Sequence, residues 1–180
     1  MLMIDPGIWS EPQALLGADA VLLTHEHTDH ADVLRLRGLG VPVFAPAHAV
    51  LPDVDVSRVH AGDTFSAAGF RIKAIGGLHA AVLDSHTPCA NLGYIVEDSA
   101  YHPGDALDLP DVAVETLFVP MQGARLETEG AIAFVRAVAP VLAIGVHDGQ
   151  INDRALSRLN YWLATHSGTD YRWTAPGTTI

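Results

Sequence analysis

Hydrophobic positions along the chain fall in short blocks whose spacing alternates between that of strands and that of helices. Met1 to Ile4 and Ala20 to Thr24 are apolar runs of strand length, and further strands are expected at Val41 to Ala45, around Val59, at Phe70 to Ile75, Leu92 to Val96 and Ala100 to His102. Thr116 to Val119 and Val141 to Val146 have the continuous apolar character of buried strands. Ser10-Glu11-Pro12-Gln13 has capping-box form and opens a short helix that Gly17 would stop, while Val33, Leu34 and Leu36 predict another, closed by Gly38. Ala131, Phe134, Val135 and Val138 share one helical face, as do Leu156, Leu159 and Leu163. Turn residues stand at Gly62-Asp63 and Glu97-Asp98-Ser99. Alternating strands and helices of this kind predict a mixed α/β domain whose helices cover sheet faces.

The polar residues carry more information than the elements. His25 follows the strand Ala20 to Thr24, His79 follows Phe70 to Ile75 across Gly76-Gly77, Asp105 follows the Ala100 strand, and His147 follows Val141 to Val146. In open α/β sheets the carboxyl ends of strands form the binding edge, because loops converge there from a rigid scaffold. If these strands share a direction, the four side chains can meet.

Composition narrows the setting. The chain has 180 residues, 49% of them hydrophobic, which suits one core and one domain over 1–180. A net charge of −11, with Lys73 as the one lysine, disfavours nucleic acid and anionic membranes as partners and leaves a small-molecule substrate as the expected one. The single cysteine, Cys89, excludes an internal disulfide; it fits a reducing compartment, cytoplasmic by default, and is expected to be a buried, inert thiol. The N-terminus lacks the basic flank and long apolar region of a signal peptide, and the longest apolar run is too short to span a bilayer.

Leu23-Thr24-His25-Glu26-His27-Thr28-Asp29-His30-Ala31-Asp32 packs three imidazoles and three carboxylates into ten positions. A solvated, histidine-rich loop is the plain reading. A metal site is the chemical one: in an extended segment residues two apart project to the same side, so His25 and His27 can grip one cation while a turn after Thr28 sends Asp29 and His30 elsewhere. Imidazole and carboxylate suit zinc, iron or manganese, and the lack of thiolate ligands argues against a structural four-cysteine zinc site.

The segment resembles the His-x-His-x-Asp-His signature of the metallo-β-lactamase superfamily, and further motifs of that superfamily occur in order: Ile4-Asp5-Pro6-Gly7, His79 after the double glycine, His102-Pro103-Gly104-Asp105 and Val146-His147-Asp148. The resemblance covers nearly the whole chain, and within the superfamily it is nearest to the small metal-dependent hydrolases similar to ascorbate-6-phosphate lactonase. It implies an αββα sandwich of two mixed β-sheets flanked by helices. It also implies two divalent ions, zinc first and manganese or iron as alternatives, with His25, His27 and His79 on the first and Asp29, His30 and His147 on the second. Asp105 would bridge them, Asp29 and Asp105 would be the catalytic carboxylates, and Asp5 would orient the ligands from behind. A carboxylate between two dications reduces their repulsion, and a bridging water would ionise near neutral pH, so the expected chemistry is hydrolysis of an ester, lactone, amide or phosphodiester.

Other residues carry weaker expectations. His86, His102 and Tyr101 lie near the motifs, and each is expected to be structural or exposed in preference to acting as a leaving-group acid. Arg125 is read as solvated before being read as an anion contact, and Trp162 as packing surface. Superfamily members carry strands ahead of the first Asp motif, whereas Asp5 is the fifth residue here, so the domain is expected to be N-terminally short and to self-associate or be marginally stable. The competing readings are a noncatalytic metal-binding protein that acts through association and, ranked lower because His27 is intact, a diiron redox protein of the same fold.

Overall fold

A computed structural model describes residues 1–80, 88–123 and 126–179. Four strands, β1 (Leu2–Ile4), β2 (Ala20–Leu22), β3 (Val43–Pro46) and β4 (Ser57–Val59), form one sheet in that order, with every neighbouring pair parallel. The second sheet contains β5 (Thr64–Ala67), β6 (Phe70–Leu78), β7 (Ala90–Val96), β8 (Ala100–His102), β9 (Thr116–Pro120), β10 (Leu142–Val146) and β11 (Asp170–Trp173), in the order β11-β10-β9-β8-β7-β6-β5. Its β5-β6-β7-β8 portion is antiparallel and its β8-β9-β10-β11 portion parallel.

The expectation of two mixed sheets is therefore corrected for the first one, which is parallel throughout. Each of its connections crosses back before the next strand starts, which parallel pairing requires.

Alternation along β2 builds the layers. Val21 and Leu23 enter a cluster with Leu36, Val43 and Leu51 on the outer side of the four-stranded sheet. Ala20 and Leu22 enter a second cluster with Ile72, Ala74, Leu92 and Tyr94, between the two sheets. A third cluster lies beyond the large sheet, where Tyr101, Leu117 and Val119 meet Phe134 and Val135 of α2 (Thr128–Val138) and Leu163 of α3 (Asp153–His166). Both faces of β2 are thus buried, which is why it reads as an unbroken apolar run.

The helices begin and end where local chemistry says they should, with one exception. Asp32 accepts from the N–H groups of Leu34 and Arg35 to cap α1 (Val33–Leu36), and Asn152 accepts from Arg154 and Ala155 to cap α3. α2 closes on Ala139 in the left-handed region, just before Pro140. The exception is Ser10-Glu11-Pro12-Gln13: the segment forms only a 3-10 turn over Pro12–Leu15, with no side-chain cap.

Three further expectations change. Gly76 and Gly77 continue β6, pairing with Leu92 and Asn91, and do not end it. Strands β5 and β11 lie outside the apolar runs that predict strands, since both are edge strands of four residues with partly exposed faces. Trp162 is 37% exposed on α3 beside His166, while Leu163 carries the packing. No helix among the described residues is long and apolar enough to cross a membrane.

Because β6, β8 and β10 run in one direction, their carboxyl ends lie on one edge of the large sheet. The end of β2 is tied to that edge: Leu92 of β7 donates to Thr24 O at 2.9 Å, and the Tyr94 hydroxyl donates to Leu23 O at 2.9 Å.

Candidate metal centre

Asp5 organises the first part of the site from a left-handed backbone at φ 51°. Its carboxylate accepts from Thr24 N at 2.7 Å, from the Thr24 hydroxyl at 2.6 Å and from His30 Nδ1 at 2.8 Å. The Thr24 hydroxyl has one proton, and that proton goes to Asp5. Its oxygen must then accept from His25 Nδ1, 3.0 Å away, which fixes the proton of His25 on Nδ1 and leaves Nε2 with a free lone pair. His79 Nδ1 donates to Ala80 O and His147 Nδ1 to Gln122 O, both at 2.6 Å.

The consequence is uniform across four histidines. His25, His30, His79 and His147 each have Nδ1 engaged, and each has a buried Nε2 without a hydrogen-bond partner. Buried polar atoms are almost always paired, so four unpaired ring nitrogens in one cluster fit the donor set of bound metal ions.

All seven expected ligands come together. One donor atom from each of His25, His27 and His79 lies within 4.8 Å of the other two, and the same holds for Asp29, His30 and His147 and for His25, His30 and Asp105. Asp105 reaches both sets: Oδ1 is 3.4 Å from His30 Nε2, and Oδ2 is 3.4 Å from His79 Nε2 and 3.5 Å from His147 Nε2. Asp29 Oδ2 is 3.4 Å from His147 Nε2. Donors held about 2.0–2.1 Å from a tetrahedral ion stand roughly 3.4 Å apart, which is the spacing of the Asp105 and Asp29 oxygens from His30, His79 and His147. The turn that separates the sets is closed by His30 N and Ala31 N, both donating to His27 O.

The electrostatics divide the histidines. Burial, reinforced by the neighbouring His30, pushes His25 down to about 3, and burial also lowers His27. Burial opposes charge on His30 as well, but the Asp5 and Asp105 carboxylates outweigh it and hold the ring up to about 10. Asp105 also raises His79. Against burial, His30 and His79 keep Asp105 well below the usual carboxylate range, and His30 does the same for Asp5.

Two glycines allow the loops to approach. A Cβ on Gly7 would lie 1.7 Å from Asp29 O, and one on Gly104 (φ 66°) would lie 2.4 Å from Asn91 Oδ1. The backbone of His147 is left-handed too, at φ 61°, a conformation that a non-glycine residue holds only where surroundings enforce it.

The remaining candidates fare differently. Tyr101 is withdrawn into the core, its hydroxyl donating to Asp108 O at 2.7 Å, and burial raises its pKa. His102 lines the site cavity; its Nδ1 accepts from Gly104 N at 3.2 Å and burial lowers its pKa. His86 and Arg125 lie outside the described residues. Cys89, expected to be buried, is half-buried, with Sγ 3.8 Å from His27 Nε2; burial and Glu26 raise its pKa. Sequence reasoning missed Thr24, Asn91, Trp9 and Gln122. Thr24 had a visible signal, since it adjoins the cluster; the other three become relevant only through the fold.

The beta-lactamase superfamily domain model matches residues 1–147. Protein Rv0786c of Mycobacterium tuberculosis is 34% identical over 183 residues, covering 95% of this chain and 86% of its own. The UPF0173 metal-dependent hydrolase Ta0764 of Thermoplasma acidophilum is 26% identical over 171 residues, covering 81% and 75%. Among solved structures, the metallo hydrolase Igni18 of Ignicoccus hospitalis superposes with a TM-score of 0.72 at 20% identity, over 99% of this chain and 89% of that one. The family match over residues 1–147 and the conserved fold establish that this chain belongs to the beta-lactamase superfamily domain family.

Proposed function

We propose that the protein is a metal-dependent hydrolase that binds two divalent ions side by side and cleaves an ester, lactone, amide or phosphodiester of a small molecule. One observation carries this reading: four buried imidazole Nε2 atoms have no partner while every matching Nδ1 is pinned. A relative named as a metal-dependent hydrolase supports it.

In this reading His25, His27 and His79 hold one ion, Asp29, His30 and His147 hold the other, and Asp105 offers an oxygen toward each set. Divalent ions bound there supply Lewis acidity toward a carbonyl or phosphoryl oxygen and bring the pKa of a water toward about 7. The protein's own groups arrange the rest. Asp5 and Thr24 hold two imidazoles in the tautomer that presents Nε2, and carbonyls at residues 80 and 122 do so for the other two. A neighbouring cavity of about 290 Å³, lined by His30, Asp105 and His147 among others, gives a small molecule access to the same atoms. The donor set suits zinc, with manganese and iron as alternatives.

Elemental mass spectrometry on protein purified without chelator tests the reading. About two metal equivalents per chain, with hydrolysis restored by the same metal, is the expected result. No retained metal after reconstitution with zinc, manganese or iron would overturn it. Iron accompanied by oxidation in place of hydrolysis would favour a redox protein of the same fold.

A further inference from the structure

Two openings reach the histidine and aspartate cluster, and they meet on it. The larger, about 290 Å³, runs over His30 and His147 and opens past Trp9, Glu11 and Asp148. The smaller, about 70 Å³, lies between His79 and an apolar wall of Leu107, Pro120 and Leu126. Asp105 and Gln122 are the described residues that line both.

Gln122 is built into this junction. Its backbone carbonyl accepts from His147 Nδ1 at 2.6 Å, so the residue is fixed to the cluster. Its side-chain Nε2 donates to Gln150 Oε1 at 3.3 Å, while its Oε1 is buried without a partner. An unpaired buried amide oxygen is costly unless a bound molecule satisfies it.

The two openings differ in chemistry. The described lining of the larger one contains Asp5, Glu11, Asp29, Asp105 and Asp148 but no lysine or arginine, and Trp9 adds an indole that is 53% exposed and packs against Gly149. Asp5, Asp29 and Asp105 belong to the ligand cluster, which leaves Glu11 and Asp148 as the charged groups at the mouth; beside Trp9 they suit an uncharged hydroxylated arm over an anionic one. The smaller opening has an apolar wall and room for only a few heavy atoms, since a single water needs about 10–15 Å³ by the same kind of measure. A short hydrocarbon arm fits it; a long chain does not.

We infer that the substrate is an ester or lactone whose short aliphatic acyl arm lies against Leu107, Pro120 and Leu126, and whose neutral hydroxylated alcohol arm lies beside Trp9 and donates a hydroxyl proton to Gln122 Oε1. This deepens the hydrolase reading and rests on it. The reaction adds one water across the acyl C–O bond: the hydroxyl joins the acyl carbon, and the proton ends on the alcohol oxygen.

The test uses zinc-loaded full-length protein and the glycerol monoesters of acetic, butyric and octanoic acids. Acetate and butyrate esters are expected to exceed the octanoate ester at least tenfold in kcat/KM. Leu126→Trp, with Leu107→Trp as a second variant should the first fail to fold, should lower butyrate turnover more than acetate turnover. Gln122→Ala should raise KM about tenfold with metal content unchanged. Calorimetry supplies a readout besides activity: butyrate should bind the zinc-loaded protein and octanoate should bind at least tenfold more weakly. Equal treatment of all three chain lengths in both assays would overturn the inference. Turnover of bis(p-nitrophenyl) phosphate without turnover of any glycerol ester would overturn it while leaving the hydrolase reading intact. A metal-loaded protein that hydrolyses neither class would remove both.

Discussion

Asn91 Oδ1 accepts the backbone N–H of Asp105 at 3.0 Å, while Nδ2 of the same side chain donates to Pro103 O at 2.8 Å. A fully buried amide on β7 thus clamps both ends of the tight loop that presents the Asp105 carboxylate. Asn91→Ala removes both bonds and leaves a buried N–H and a buried carbonyl unpaired. Metal affinity is expected to fall about 10- to 100-fold, the usual consequence of losing support behind a metal ligand, with the fold retained. Chelator competition beside circular dichroism checks this; unchanged affinity would show that the loop holds itself.

Asp105 is the side chain whose oxygens face both ligand sets. Asp105→Ala is expected to abolish hydrolysis and to weaken at least one metal position. Unchanged turnover and metal content would remove Asp105 from its bridging role. His25→Ala should instead deplete mainly the position shared with His27 and His79, which anomalous scattering can localise.

Gly7 has a specific sensitivity. An added methyl group would overlap the Asp29 carbonyl oxygen at 1.7 Å, so Gly7→Ala must displace the Asp29–His30 backbone. On the proposed two-ion reading, metal content is expected to fall from about two equivalents toward one, with the His25, His27 and His79 set still loaded. Retention of two equivalents would contradict the prediction.

Metal loading should depend on pH in a site-specific way. In the metal-free protein Asp5 and Asp105 hold His30 up to about 10, so at neutral pH its ring is charged and an ion must displace a proton. Affinity at the His30 position should therefore rise with pH across the neutral range, by up to about tenfold per unit, and level off near pH 10. His25, held near 3 by burial, is already neutral and adds no such dependence above that pH. Calorimetry in buffers of different ionisation enthalpy should detect proton release on zinc binding. Loading without proton release at pH 7 would refute the assignment of charge to His30.

Packing away from the site should separate stability from chemistry. Leu163 is fully buried in the cluster beneath α2 and α3. Leu163→Ala is expected to cost about 2–5 kcal/mol, measured by denaturant unfolding of the metal-free protein, and to leave the ligand set in place. A loss of metal stoichiometry at temperatures where the variant is folded would show that the helices tune the site.

The amino-acid sequence by itself determined the local facts: which runs are buried strands, that Ala131, Phe134 and Val135 share one helical face, and that His25, His27, Asp29 and His30 share one loop after a strand. These depend on residues a few positions apart, so propensity and side-chain periodicity report them directly. Only the tertiary structure decided that the four-stranded sheet is parallel throughout, that β5 and β11 are strands, and that Asn91, Gln122 and Trp9 belong with the site. It also decided the tautomers, because Asp5, Thr24 and the carbonyls at 80 and 122 meet their imidazoles only after the sheet edges close together. Pairing across 14 to 25 residues, as between Asn91 and Asp105 or Asp5 and His30, leaves no periodic trace in the chain. Strand direction and sheet order set it, and those are fixed by burial of whole faces against one another.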